Sequence, residues 1–96
     1  MPKPPWRARK EAYLAHLASA PDEVLLISAS DKVHNASTIV EDLAAIGPAV
    51  WDRFSGRRDG TLWYYETLAA IYARRGPARL AARLAALVTQ MQNAPR

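Results

Sequence analysis

The side chains best suited to chemistry fall on one line. Ser28, Asp31, Asn35, Thr38 and Asp42 step by 3, 4, 3 and 4 residues, the spacing that brings side chains onto one face of an α-helix. A carboxylate in an otherwise apolar helix is stable when it faces water, pairs with a cation or binds a metal. Asp31 has Lys32 beside it, Ser28 one turn before and Asn35 one turn after. His34 follows Asp31 by three residues, a spacing at which imidazole and carboxylate can share a metal ion. The other histidine, His16, stands well upstream and reads as a surface or half-buried residue. Cysteine is absent, which excludes disulfides, thiolate catalysis and cysteine-type zinc sites. Periodicity alone leaves two readings open: a binding face, or an exposed face on which Asp31 and Asn35 meet only water.

The line must be held by a helix, and the punctuation of the chain supplies one. The segment from about Ala20 to Ile46 reads as a single long helix, closed by Gly47 with Pro48 behind it. Leu25, Ala29, Val33, Ala36, Val40 and Leu43 recur there with helical spacing, opposite the polar line. Val24 to Ile27 could form a strand in isolation, but the run is short and its flanks are helical. Ser19 to Asp22 resembles a capping box, with Ser19 as the cap and Asp22 near the positive helix end. Upstream, Trp6 to about Leu17 follows Pro5 as a first helix, with Tyr13, Leu14 and Leu17 as its apolar contacts. Downstream, Pro48 to about Phe54 is a short helix carrying Val50, Trp51 and Phe54, and Ser55 to Gly60 is a turn-rich loop by composition. Asp59 or Thr61 can cap the next helix, which runs through Trp63, Tyr64, Tyr65, Leu68 and Tyr72 to Gly76-Pro77. The last helix, from Pro77 to about Gln92, spaces Leu80, Leu84, Leu87 and Met91 by 4, 3 and 4. The fold class is therefore all-α with about five helices: a flexible arm over residues 1–5, a helical domain over 6–92 and a tail over 93–96.

A chain of 96 residues makes one small domain, with a thin stability margin unless a partner covers apolar faces. Half of its residues are hydrophobic, which argues against bulk disorder. No apolar run approaches the roughly 20 residues that span a bilayer, and no apolar stretch of a signal peptide follows the charged start. We therefore expect a cytoplasmic protein without a membrane partner. The net charge of +4 is unevenly spread. Thr67 to Arg96 holds no acidic residue while Arg74, Arg75, Arg79, Arg83 and Arg96 give +5. Such a segment could meet phosphate or an acidic surface, or be the solvated face of an alanine-rich helix. No helix-turn-helix, zinc or RNA-binding signature accompanies it, so nucleic acid is the least supported partner.

The literal string around Asp31 adds a resemblance. Ile27-Ser-Ala-Ser-Asp-Lys-Val-His-Asn-Ala36 is similar to the second-half segment of metal-dependent HD-domain phosphohydrolases, commonly L-x-x-A-D-[KR]-x-x-N. Trp6-Arg-Ala-Arg-Lys-Glu-Ala-Tyr13 resembles the basic helix that precedes it in that family. Trp51-Asp-Arg-Phe54 and Leu62-Trp-Tyr-Tyr65 resemble segments that follow. The likeness covers roughly Pro5 to Met91 and implies the C-terminal half of an HD domain, a partial HD-type helical bundle. By pattern the chain is similar to the small HD proteins related to the stringent-response hydrolases, which remove pyrophosphate from guanosine tetraphosphate. The resemblance implies that Asp31 is a metal ligand, that Asn35 sits near a nucleotide and that Tyr64 packs on ribose or base. It implies weaker phosphate contacts at Lys32, Arg9 and Lys10, each of which could equally be a surface ion-pair partner. A divalent metal, manganese or similar, held by imidazole and carboxylate lowers the pKa of bound water and polarises a phosphoryl oxygen.

The departures bear on activity. Ser30 stands where relatives carry alanine, the dipeptide His-Asp occurs nowhere, and the family's upstream carboxylates are missing. One aspartate does not make a hydrolytic site. We therefore expect no catalytic residue at work in the isolated chain, and metal binding only when a complementary half supplies the His and His-Asp motifs. That half could be an upstream segment of a longer gene product or a separate polypeptide. The alternative is a non-catalytic helical module that self-associates through Leu80, Leu84, Leu87 and Met91, or through Trp51, Phe54, Trp63, Tyr65 and Tyr72. In an orphan half those aromatics would be partly uncovered, and patches of that kind favour association. They could also form the local core.

Overall fold

The computed structural model describes residues 5–95. Its elements are α1 (Trp6–Ala18), α2 (Asp22–Ile46), a 3₁₀ segment (Gly47–Arg53), α3 (Arg57–Arg75) and α4 (Ala78–Asn93). The described chain is all-α. The short helix expected from Pro48 is the 3₁₀ segment. The arm foreseen over residues 1–5 lies, Pro5 apart, outside the described residues, as does Arg96.

The ends of α2 follow from its flanking residues. Pro21 occupies the N-cap in extended conformation, with φ −63° and ψ 157°. Gly47 ends the helix at φ +78°, in the left-handed region that only glycine adopts without strain. Asp22 and Glu23 stand in the first turn, where carboxylates complement the helix dipole. The expected capping box does not form: Ser19 is exposed and no side chain caps α2, because Pro21 leaves Ser19 two positions too far upstream. The loop expected over Ser55 to Gly60 is also shorter than composition suggests. Helix α3 begins at Arg57, with Gly56 at its N-cap and neither Asp59 nor Thr61 capping it. Arg57 has φ +55°, and its guanidinium donates to the Asp52 carbonyl at 3.2 Å and carboxylate at 3.3 Å.

Helices α2, α3 and α4 pack against one another around the core, with α1 laid against α3. Leu17, Leu25, Leu68, Tyr72, Leu84 and Met91 are fully enclosed. This corrects two expectations about surface. Leu84, Leu87 and Met91 are buried and Leu80 half-buried, so α4 spends its stripe on α2 and α3 and does not offer it to a partner. Trp51, Tyr65 and Tyr72 are likewise buried, with Phe54 and Trp63 half-buried: the aromatics form the local core. The apolar side chains left outside are Val24, Leu26, Ile27 and Ile46. The described residues form a flattened body of 39 × 37 × 16 Å.

The polar line does not stand opposite the apolar stripe. Ser28 is buried and linked to Tyr13 Oη at 2.7 Å and Tyr72 Oη at 2.6 Å. The line thus runs along the edge of the buried face, entering the core at Ser28 and reaching water at Asp31, Asn35 and Thr38. The basic C-terminal segment is divided as well. Arg75 donates to the carbonyls of Ala18 and Ala20, each at 2.7 Å, satisfying acceptors that the end of α1 leaves free. Arg74, Arg79 and Arg83 are exposed. No helix among the described residues is long and apolar enough to cross a membrane.

Candidate functional site

A cavity of about 310 Å³ opens where α1, α2, the 3₁₀ segment and α3 meet. Helix α1 lends Trp6 and Lys10, one turn apart, and α2 lends Lys32 and Asn35 from its polar edge. The 3₁₀ segment and the turn after it contribute Arg53, Phe54 and Ser55, and α3 contributes Thr61, Tyr64 and Tyr65. Trp6 can reach this wall because two residues beside it lack side chains. A Cβ at Gly56 would overlap the Trp6 ring, and one at Gly60 would lie 3.1 Å from it. The ring meets Trp63 edge-on at 6.2 Å, and Arg7 stacks 3.3 Å above Trp63.

The cavity gathers more positive than negative charge. Lys32 is paired with Asp31 at 3.2 Å and Arg53 with Asp42 at 2.8 Å, whereas Lys10 has no carboxylate within ion-pair distance among the described residues. Lys10 Nζ instead lies 4.7 Å over the Tyr64 ring, and Lys32 Nζ lies 5.2 Å over Tyr13 and 6.0 Å over Tyr64. These are cation–π contacts that partly replace lost water. Burial, and then the charges of Lys32 and Arg9, push the Lys10 ammonium below its ordinary 10.5. Burial also raises the Tyr64 phenol well above its usual 10.0, with Tyr13, Tyr65, Tyr72 and Asp31 adding to the shift. Tyr64 is therefore a neutral phenol at physiological pH, beside a cation that lacks an anion.

Four of the five residues named as substrate contacts line this one cavity: Lys10, Lys32, Asn35 and Tyr64. Arg9 does not; it is exposed on α1, since the residue next to Lys10 points about 100° away round the helix. Asp31 is exposed at the rim. Its Oδ2 accepts from Lys32 Nζ at 3.2 Å and from Asn35 Nδ2 at 3.3 Å. His34 is exposed and lines a neighbouring hollow of about 380 Å³ that shares Asn35, Arg53, Phe54 and Tyr65 with the first. His16 is exposed on α1. The cavity residues that sequence reasoning did not single out for binding include Trp6, Arg53 and Thr61, the last read there only as a helix cap. Its spacing of four from Tyr65 was the available signal that it shares a face of α3 with the aromatic wall.

The donor set does not fit a divalent metal held by this chain alone. No three His, Cys, Asp or Glu side chains converge among the described residues, and the Asp31 carboxylate is already engaged by Lys32 and Asn35. What the lining can do is hold an anion: it brings Lys10, Lys32 and Arg53 together with hydroxyl and amide groups and aromatic rings.

A scan against family models returns no match to this chain, and a search of curated proteins returns none.

Proposed function

We propose that the chain is the phosphate-binding half of an HD-type site, acting in the cytoplasm on nucleotide or pyrophosphate esters and unable to hydrolyse them alone. The observation that carries this reading is the convergence of Lys10, Lys32, Asn35 and Tyr64, from three helices, on one cavity beside Asp31. The chemistry is mutual: a phosphate offers Lys10 the counter-charge it lacks, and the half-buried Trp6 ring lines the same cavity as an apolar surface. Saturable binding of guanosine tetraphosphate and of inorganic pyrophosphate, followed by tryptophan fluorescence, is the expected result, without turnover. A chain that binds neither ligand would overturn the reading.

Hydrolysis needs donors that Asp31 does not have around it. A divalent ion such as manganese is expected to bind when a complementary half brings histidine and carboxylate to Asp31. The surface supports such a partner: Val24 and Ile27 are exposed on the same side of α2 as Asp31, Ile27 to 72 %. Calorimetric titration with manganese, with and without a polypeptide bearing the His and His-Asp motifs, checks this. Tight binding by the chain alone would sink it.

The same exposed patch favours a second reading, a non-catalytic module that self-associates. With the Leu80 stripe engaged in the core, Val24 and Ile27 on that side of α2, and Leu26 and Ile46 elsewhere on the helix, are the large apolar side chains exposed among the described residues. Sedimentation equilibrium distinguishes the readings, since a strict monomer removes this one and leaves the anion site untouched.

A further inference from the structure

Three lysines occur in the sequence, Lys3, Lys10 and Lys32, and the last two line the cavity under opposite conditions. An amine attacks a carbonyl carbon through its lone pair, so it must first give up its proton. At Lys32 that step is opposed: the Asp31 carboxylate pairs with the ammonium at 3.2 Å, and the Lys32 side chain is only 17 % exposed. Lys10 has no carboxylate within ion-pair distance among the described residues. Its Nζ lies 4.7 Å over the ring of Tyr64, itself part of the cavity lining, and the side chain is half-buried, not sealed. Burial, and then the charges of Lys32 and Arg9, favour its free amine. Desolvation and a neighbouring cation are the two conditions that make a lysine nucleophilic.

The same lining suits one class of electrophile. Lys32, Arg53 and Asn35 stand on it beside Lys10, and such donors hold phosphate oxygens. We propose that Lys10 is an acylation site for small acyl phosphates, whose phosphate end the cavity holds while the acyl group passes to Lys10 Nζ. The nitrogen lone pair attacks the carbonyl carbon and forms the C–N bond. The bond from that carbon to the phosphate oxygen breaks, inorganic phosphate leaves with the electron pair, and the proton shed by the nitrogen goes to water. The product is an amide without charge, so the modification also removes the cation that had no partner and weakens the site for anions. Capture of the phosphate end rests on the anion-binding reading above, whereas the choice of Lys10 over Lys32 rests on their different partners. The volume, about 310 Å³, is at the small end for ligand sites and suits a molecule of the size of acetyl phosphate.

The test treats the full chain with acetyl phosphate at mildly alkaline pH and follows acetylation of each lysine by peptide mass spectrometry. Lys10 should react about tenfold faster than Lys3 or Lys32, since a positively charged cleft concentrates an anion beside it. Inorganic pyrophosphate should slow Lys10 and leave Lys3 unchanged. Lys10→Arg keeps the charge but removes the nucleophile, and should show only the slow reactions of Lys3 and Lys32. Chain acetylated at Lys10 should bind pyrophosphate about tenfold more weakly by calorimetry, as loss of a hydrogen bond from a charged group does. Pyrophosphate binding by wild type with no preference for Lys10 over Lys3 would overturn the acylation site and leave the anion site standing. So would faster reaction at Lys32 than at Lys10. A fast Lys10 that pyrophosphate does not slow would overturn both, since the cavity would then hold neither anion.

Discussion

Tyr72 and Thr61 lie on the same helix, about three turns apart, and the fold treats their hydroxyls in opposite ways. At the Tyr72 end, Ser28 bridges Tyr13 and Tyr72 in bonds of 2.7 and 2.6 Å, so each polar group entering the core has a partner. At the Thr61 end a buried hydroxyl has none, and Lys10, which lines the same cavity, has no carboxylate within ion-pair distance among the described residues. Both regions are polar and both border α2. The difference is that the first is closed upon itself, as a structural network should be, while the second is short of one acceptor and one negative charge.

The contrast can be broken most severely at its closed end. Tyr72→Ala should cost about 3–5 kcal/mol in chemical denaturation, since a fully enclosed ring is removed, and Tyr72→Phe about 1–3 kcal/mol, since a bonded hydroxyl is lost and Ser28 keeps one partner. At the open end, the packing of Trp6 on bare glycine comes next: Gly56→Ala should cost about 1–3 kcal/mol by overpacking and weaken pyrophosphate binding by displacing the Trp6 wall. Lys10→Met should leave stability without ligand unchanged or raised, and should weaken pyrophosphate binding about tenfold, a loss of ~1.4 kcal/mol. A fall in stability equal to that of Tyr72→Phe would erase the contrast between the two ends. The smallest effect is expected at Arg57→Gly, which relieves a left-handed residue at the start of α3 but gives up its exposed bonds to Asp52, for a net change within about 0.5 kcal/mol.

Alkaline titration reads both ends at once. Burial pushes Tyr72 up to about 12 against the pull of the Ser28 bond, and pushes Tyr65 up to about 12 with Asp31 and Tyr72 adding to it. The folded state therefore holds these protons while the unfolded chain releases them near 10.0. Stability should be intact below pH 10.0 and fall steadily towards about pH 12. Lys10 is shifted the other way, so its charge, and with it part of the pyrophosphate affinity, should be lost below pH 10.5. Loss of affinity as the pH rises towards 10.5, by calorimetry, is the expected result for wild type, and a weaker pH dependence for Lys10→Met; the same dependence in both would mean that Lys10 does not act on the ligand.

The amino-acid sequence by itself determined the all-α class, the end of α2 at Gly47 and the register of α4, because helical period and glycine stops are local properties. It also drew attention to Lys10, Lys32, Asn35 and Tyr64, although through the resemblance of short strings and not through spacing. Tertiary structure decided the rest. Ser28 and Asp31 belong to one periodic line, yet one is sealed between two tyrosines and the other meets water, since periodicity gives a direction round α2 but not what lies there. The Leu80 stripe looked free for a partner until α2 and α3 packed on it. Arg9 and Lys10 were equal in sequence, and only the crossing of α1 over α3 brought one into the cavity and left the other outside. Thr61 was the least legible, because a missing hydrogen bond is a property of the whole neighbourhood, and no single stretch of chain contains it.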